Sequence, residues 1–296
     1  MAVLTIDHLS KSYGRILALK DVSFSVPAGS VFGILGPNGS GKTTLLGTVM
    51  EIIKPSGGTF RLFGEAATAE HRKKIGTLLE TPNFYHYLSG QKNLEIAAEI
   101  KQRGREDISK VLEMVDLIRR KDSKFSSYSL GMKQRLAIAS CLLGNPDVLV
   151  FDEPTNGLDP VGIAEIRSLM KELHLRGKTI IMASHLLDEV EKVCTHVAIL
   201  KTGTLIATGD VNEILSNEDM VELSCSDNKK LIEVLQQLHN QAKVTMDGRH
   251  VKLFLPVNSA DLASINNYCF SHGIMLSHLL LKKKSLEARF FELTNN

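Results

Sequence analysis

Almost no net charge separates the 35 basic from the 33 acidic residues of this 296-residue chain. A balance of +2 creates no global field that would draw it to nucleic acid or to an anionic membrane, so no nucleic-acid partner is expected. Long hydrophobic runs are missing too. None approaches the roughly 18 apolar residues of a membrane-spanning helix, and Met1 to Leu9 lacks the basic start and apolar core of a signal peptide. Any membrane role is therefore expected to act through a protein partner. The four cysteines, Cys141, Cys194, Cys225 and Cys269, are far apart and form no close pair of the kind that holds zinc. They read as reduced thiols of a cytosolic protein. There is no low-complexity tract and no repeat.

What is present is ordinary for a folded chain: 43% hydrophobic and 23% charged residues, enough to bury a sizeable core. The length suits one large domain plus a small one. Val3 to Leu9, Val22 to Val26 and Val31 to Leu35 read as strands, and helical periodicity runs over Lys42 to Ile52, Glu95 to Lys101, Ile108 to Val115 and Gln134 to Leu143. Val148 to Phe151 and Thr179 to Ala183 are apolar runs with polar residues only at their C-terminal ends. Buried parallel strands look like this when ligands sit at that edge. The composition changes after Gly209, where a short helix over Val211 to Leu215 leads to the polar stretch from Ser216 to Asp219. The expected order beyond it is strand 220–225, helix 229–239, strands 242–246 and 250–255, helix 260–272 and strand 274–281. That is the split βαβ plan of ferredoxin-like domains. An amphipathic helix, Ser285 to Leu293, is expected to follow, with Leu286, Phe290 and Leu293 on one face. No metal or phosphate motif is visible in this C-terminal part.

The chemistry concentrates upstream. Gly36-Pro37-Asn38-Gly39-Ser40-Gly41-Lys42-Thr43, followed by Thr44, fits G-x-x-x-x-G-K-[ST] directly after a strand and before a helix. Backbone N–H groups and the helix N-terminus offer donors and positive potential to phosphate oxygens, and Gly39 and Gly41 let the chain wrap closely. Lys42 is expected at the β and γ phosphates and the Thr43 hydroxyl at Mg²⁺. Val148-Leu149-Val150-Phe151-Asp152-Glu153-Pro154 is a strand ending in two carboxylates. Asp152 is the expected Mg²⁺ partner and Glu153 the general base on the attacking water.

Together these residues resemble the ABC ATPase family over residues 1 to about 210. Tyr128-Ser129-Leu130-Gly131-Met132 is similar to the family's signature motif, although it differs from the commonest Leu-Ser-Gly-Gly-Gln form at three of five positions. It keeps Ser129 and Gly131, whose hydroxyl and backbone, with the following helix N-terminus, can bind a γ-phosphate; a bare helix start is the competing reading. The resemblance implies that this motif faces the phosphate loop of an opposite subunit. It also implies a D-loop at Asn156 to Asp159, a switch histidine at His185 contacting the γ-phosphate, and an adenine-stacking Tyr13 in Lys11-Ser12-Tyr13-Gly14. After Ile75 to Leu79, most family members carry a Gln that contacts Mg²⁺ and the transmembrane partner; this chain has Glu80, a carboxylate that can also take Mg²⁺. The Glu form followed by Thr81-Pro82-Asn83-Phe84-Tyr85 resembles ATPases of bacitracin-type and lantibiotic-type exporters.

The expected fold is thus α/β, a P-loop NTPase of the ABC type over 1–215 with a helical subdomain at about 85–145. A small α+β ferredoxin-like domain, ending in a helix, is expected over 216–296. The expected function is the ATP-hydrolysing subunit of an exporter, a homodimer or a pair with a paralogous ATPase. It would use Mg²⁺ with ATP and drive separate transmembrane permease subunits at the inner face of the membrane through the segment Thr81 to Asn93. The alternative is an ABC-type ATPase serving translation, repair or cluster assembly. Those of the translation type carry two cassettes per chain, those of the repair type long coiled coils, and neither feature is present.

Overall fold

The structure is a computed structural model that describes residues 1–79, 83–215, 219–238, 242–256 and 259–282, together with Leu286 and Phe290. It divides into two compact units, Met1–Asp210 and Val211–Asn296. The short helix Val211–Leu215 therefore groups with the second unit, not with the first as the expected boundary at 215 had it.

In the first unit the elements are β1 (Ala2–Tyr13), β2 (Ile16–Pro27), β3 (Val31–Leu35), α1 (Lys42–Val49), β4 (Gly57–Leu62), β5 (Glu65–Ala66), α2 (Ala69–Lys73), β6 (Ile75–Leu78), α3 (Gly90–Lys101), α4 (Ile108–Met114), α5 (Leu130–Leu142), β7 (Val148–Asp152), α6 (Pro160–Leu175), β8 (Thr179–Ser184), α7 (Leu187–Val193), β9 (His196–Lys201) and β10 (Thr204–Asp210). They build two sheets, an antiparallel one in the order β2-β1-β4-β5 and a larger one in the order β10-β9-β3-β8-β7-β6. In the larger sheet every pairing is parallel except that of β9 with β10. Every residue of β3, β7 and β8 is buried. This explains their near-continuous apolar sequences, since a parallel strand covered on both faces has no solvent side to mark by alternation. One core joins the two sheets: Leu4, Leu9 and Val22 pack with Phe32, Ile34, Leu46 and Ile181, and Phe24 stacks on Phe32 with ring centroids 5.4 Å apart.

Helix ends depart from the periodicity where capping chemistry overrides it. The first helix stops at Val49, short of the expected Ile52, because Glu51 turns the chain at φ 58° and the N–H groups of Ile52 and Ile53 both donate to Gly47 O. Two helices start earlier than their apolar pattern suggests. Ser89 caps α3 by accepting from Lys92 N, and Ser129 caps α5 by accepting from Met132 N at 3.3 Å. The helices α3, α4 and α5 pack on one another. Lys101 at the end of α3 donates to Ser140 O of α5 at 2.6 Å, and burial pushes its pKa down.

The second unit comprises α8 (Val211–Leu215), β11 (Asp219–Cys225), α9 (Asn228–Leu238), β12 (Lys243–Asp247), β13 (His250–Leu255), α10 (Leu262–Ser271) and β14 (Leu276–Lys282). Its sheet, in the order β12-β13-β11-β14, is antiparallel throughout. Val221, Leu223, Val251, Leu253 and Leu255 bury one face of it against Leu231 and Leu235 of α9 and Ile265 and Cys269 of α10. Of the expected terminal helix, only Leu286 and Phe290 lie within the described residues.

Candidate active site

In an open parallel sheet the ligand edge is the carboxyl end of the strands. Here β3 ends in the glycine loop, and its neighbour β8 ends in Ser184 with His185 next. On the far side of β8, β7 ends in Asp152 with Glu153 next. Three residues far apart in sequence meet there. The Lys42 ammonium, 6% exposed, donates to Gly36 O at 2.8 Å and to Pro37 O at 3.3 Å, and lies 3.4 Å from Glu153 Oε1. The other oxygen of Glu153 is 2.8 Å from His185 Nδ1. Glu153 is held in this position by a left-handed backbone, φ 49°, with its N–H donating to Ala183 O of β8 and its C=O accepting from Asn156 N. A non-glycine residue at positive φ carries strain, which the flanking strand hydrogen bonds offset.

The loop itself is shaped by crowding. Gly41 has φ 104°, and a Cβ there would stand 2.6 Å from Ala18 O. Gly39 is also left-handed, at φ 79°, but a Cβ there meets nothing within 4 Å among the described residues. Ser40 is 1% exposed, and its hydroxyl is buried without a hydrogen-bond partner among the described residues. A buried orphan of this kind inside a loop of backbone donors fits a site for phosphate oxygens. Thr43 and Thr44 lie in the first turn of α1, with Thr43 exposed, and Pro37 and Asn38 are exposed on the loop. Asp152 is 7% exposed at the strand end.

The remaining expected residues lie outside this cluster. Ser129 is exposed at the start of α5, beside Gly131 and the half-exposed Leu130. Asp159 caps α6 by accepting from Gly162 N at 2.9 Å. Tyr13, 47% exposed, closes the β1–β2 hairpin with Lys11 Nζ 4.9 Å from its ring centroid. Glu80 lies outside the described residues. One contributor goes unread in the sequence: Gly203, in the β9–β10 turn, donates to Ser40 O at 3.0 Å, and a Cβ on it would meet Ala18 O at 2.6 Å. Its signal, a Thr-Gly turn between two strands, is present at Thr202-Gly203, but nothing local ties that turn to the phosphate loop. The cysteines are all free; burial pushes the Cys141 thiol up to about 12 and the Cys194 thiol upward as well, which leaves both poor nucleophiles.

The family model for ABC transporters matches residues 19–156. The bacitracin transport ATP-binding protein BcrA of Enterococcus faecalis is 34% identical over 98% of this chain and 96% of its own length. This chain belongs to the ABC transporter ATP-binding proteins. The lantibiotic transport ATP-binding protein SrtF of Streptococcus pyogenes is another relative, 33% identical over 74% of this chain and 99% of its own. Among solved structures, the ADP conformation of the ATP-binding cassette MJ1267 superposes with a TM-score of 0.65 at 28% identity, covering 72% of this chain and 92% of that one. The dimeric cassette MJ0796, bound to ADP and Pi after hydrolysis, has a TM-score of 0.62 at 28% identity and covers 70% and 98%. As an ABC ATPase, the chain is the ATP-binding, ATP-hydrolysing subunit of a transporter. No helix among its described residues is long and apolar enough to cross a membrane.

Proposed function

We propose that this ATPase powers export of a peptide antibiotic or drug through separate transmembrane subunits, with Glu153 as the base and Lys42 as the phosphate clamp. The observation carrying the assignment of roles is the Lys42–Glu153–His185 cluster at the carboxyl edge of the sheet. A carboxylate gripped from both sides is oriented to take a proton from water. His185 holds Glu153 and would contact a terminal phosphate. Thr43 and Asp152 are hard oxygen donors of the type Mg²⁺ takes, and they are its proposed holders, joined by Glu80. Bound there, Mg²⁺ supplies charge neutralisation for the phosphates. Backbone N–H groups of Gly39, Ser40 and Gly41, continued by Thr43 and Thr44, would cradle the phosphates, with Tyr13 against adenine.

Exposure of Ser129 at a helix N-terminus supports its completing the site of a second copy or a paralogue, with Asp159 as the D-loop contact between the two. With Glu153→Gln to block turnover, Mg-ATP is expected to convert the chain from monomer to dimer in size-exclusion chromatography with light scattering. Adding Ser129→Arg should keep it monomeric while ATP still binds. A dimer that persists in the Ser129→Arg variant would remove Ser129 from the interface.

Near β6, a cleft of about 600 Å³ lies among Leu78, Leu79, Phe84, Tyr85, Ile96 and Ile100. Phe84 and Tyr85 belong to the segment Thr81 to Asn93, and the cleft supports docking of a permease there, which would place the chain at the inner face of the membrane. The relatives named for bacitracin and lantibiotic transport supply the cargo class. Expressed with its permease in a sensitive host, the chain is expected to raise tolerance to peptides of those types, and Lys42→Ala to abolish the gain. Unchanged tolerance across both classes would refute this cargo assignment.

A further inference from the structure

The sheet of the second unit has two unlike faces. Because side chains alternate along a strand, burial of Val221, Leu223, Val251 and Leu253 under α9 and α10 turns Glu222, His250, Lys252 and Ser224 to the opposite face. The register Val221↔Leu281 and Leu223↔Leu279 puts His278, Leu280 and Lys282 on that same face. On it, one ligand atom from each of Glu222, His250 and His278 lies within 4.8 Å of the others. The three come from β11, β13 and β14, a strand and the two that flank it in the sheet.

We propose that Glu222, His250 and His278 form a binding site for a borderline divalent cation of the Zn²⁺ class. Two imidazoles and one carboxylate are a donor set that zinc takes, usually with a water or a further ligand in the fourth position. Glu222 is 7% exposed, and His250 Nδ1 is buried with no hydrogen-bond partner among the described residues, a cost that a bond to a metal or to a bound water would remove. The two histidine rings are already close, their centroids 4.8 Å apart, and His278 Nε2 is 3.1 Å from Glu222 Oε1. Tetrahedral ligation at about 2.0–2.1 Å sets donors roughly 3.4 Å apart. Closing the cluster around an ion therefore asks only for small side-chain rotations on strands that the ladder holds in register.

One group competes. Lys282 Nζ is 2.7 Å from Glu222 Oε2, and it holds the carboxylate pKa below the usual range. It takes Oε2, while Oε1 faces His278 Nε2, so an ion would replace the His278–Glu222 hydrogen bond and leave the Lys282 pair in place. If Glu222 served only to pair with Lys282 and to hydrogen-bond His278, no metal would bind.

The test is titration of the full-length, metal-stripped chain, without nucleotide, by Co²⁺ read through its ligand-field absorbance, followed by competition with Zn²⁺. One Co²⁺ per chain with tetrahedral intensity is expected, displaced by one Zn²⁺. His250→Gln and His278→Gln should each weaken binding about tenfold or more, with ATP turnover retained as the check of folding. Lys282→Met should tighten it, and Lys42→Ala should leave it unaltered, separating this site from the nucleotide site. No stoichiometric binding at submillimolar Co²⁺ to the unaltered chain would overturn the proposal whatever the variants do. So would binding that survives both histidine replacements, or that weakens when Lys282 is removed.

Discussion

Replacing Glu153 by Gln is expected to lower ATP turnover by about 10²–10⁴-fold, the range a positioned general base contributes, while nucleotide binding stays within a few-fold of the parent. Gln has the shape of Glu, so the left-handed backbone at φ 49° and its hydrogen bonds to Ala183 and Asn156 have no reason to change. What disappears is the proton acceptor, and with it the charge that Lys42 and His185 face at 3.4 and 2.8 Å. Steady-state phosphate release set against fluorescent-nucleotide binding separates the two effects. Turnover undiminished in Glu153→Gln would show that the base is some other group. Loss of binding along with turnover would show that the Lys42–Glu153 pair serves mainly to shape the loop.

The second large effect is steric. Gly41→Ala places a methyl 2.6 Å from Ala18 O and 3.0 Å from Leu19 Cδ2, on a residue at φ 104°. Left-handed strain alone costs on the order of 1–3 kcal/mol, and the backbone clash cannot be relieved by rotating a side chain. The loop must move, and because Gly41 is the N-cap of α1, Lys42 and Thr43 move with it. ATP affinity is expected to fall about 100-fold, equivalent to roughly 3 kcal/mol at 1.4 kcal/mol per factor of ten. Gly177→Ala is the matched control. Gly177 is also left-handed, at φ 85°, but a Cβ there meets nothing within 4 Å among the described residues, and it precedes the N-terminal end of β8, the end opposite the site. It should lose stability and keep affinity. Calorimetric titration with ATP, beside thermal melts, measures both; full affinity in Gly41→Ala would mean the loop is held less tightly by β2 than its packing implies.

Much of this can be read from short stretches of sequence. The run from Val31 to Thr44 encodes strand, loop and helix within itself, because an apolar β-rich segment, glycines that permit left-handed turns, and a helix start each depend on neighbouring residues only. The same holds for Val148 to Glu153 and for the alternation of strands and helices beyond residue 219. Helix ends are less legible from periodicity. Capping by Ser89 and Ser129 and the turn at Glu51 depend on single side chains and φ angles, which an apolar repeat does not register. Family resemblance implies a D-loop role for Asp159; what is seen in the chain by itself is that it caps α6.

Which chemical groups the ATPase has, and in what order, is written along the chain: a glycine loop with Lys42, a carboxylate pair at a strand end, and His185 at the next. These are legible there because each motif is a local solution to binding phosphate or ending a strand. Which of these groups touch depends on how the strands are ordered in the sheet. Strand order brings β3, β8 and β7 side by side, so Lys42, Glu153 and His185 converge although long stretches of chain separate them. Gly203 backs the phosphate loop for the same reason. In the second unit, Glu222, His250 and His278 form no motif along the chain, and become neighbours through antiparallel register and the twofold alternation of side chains. Proximity of that kind is a property of pairing between strands, and no single segment contains it.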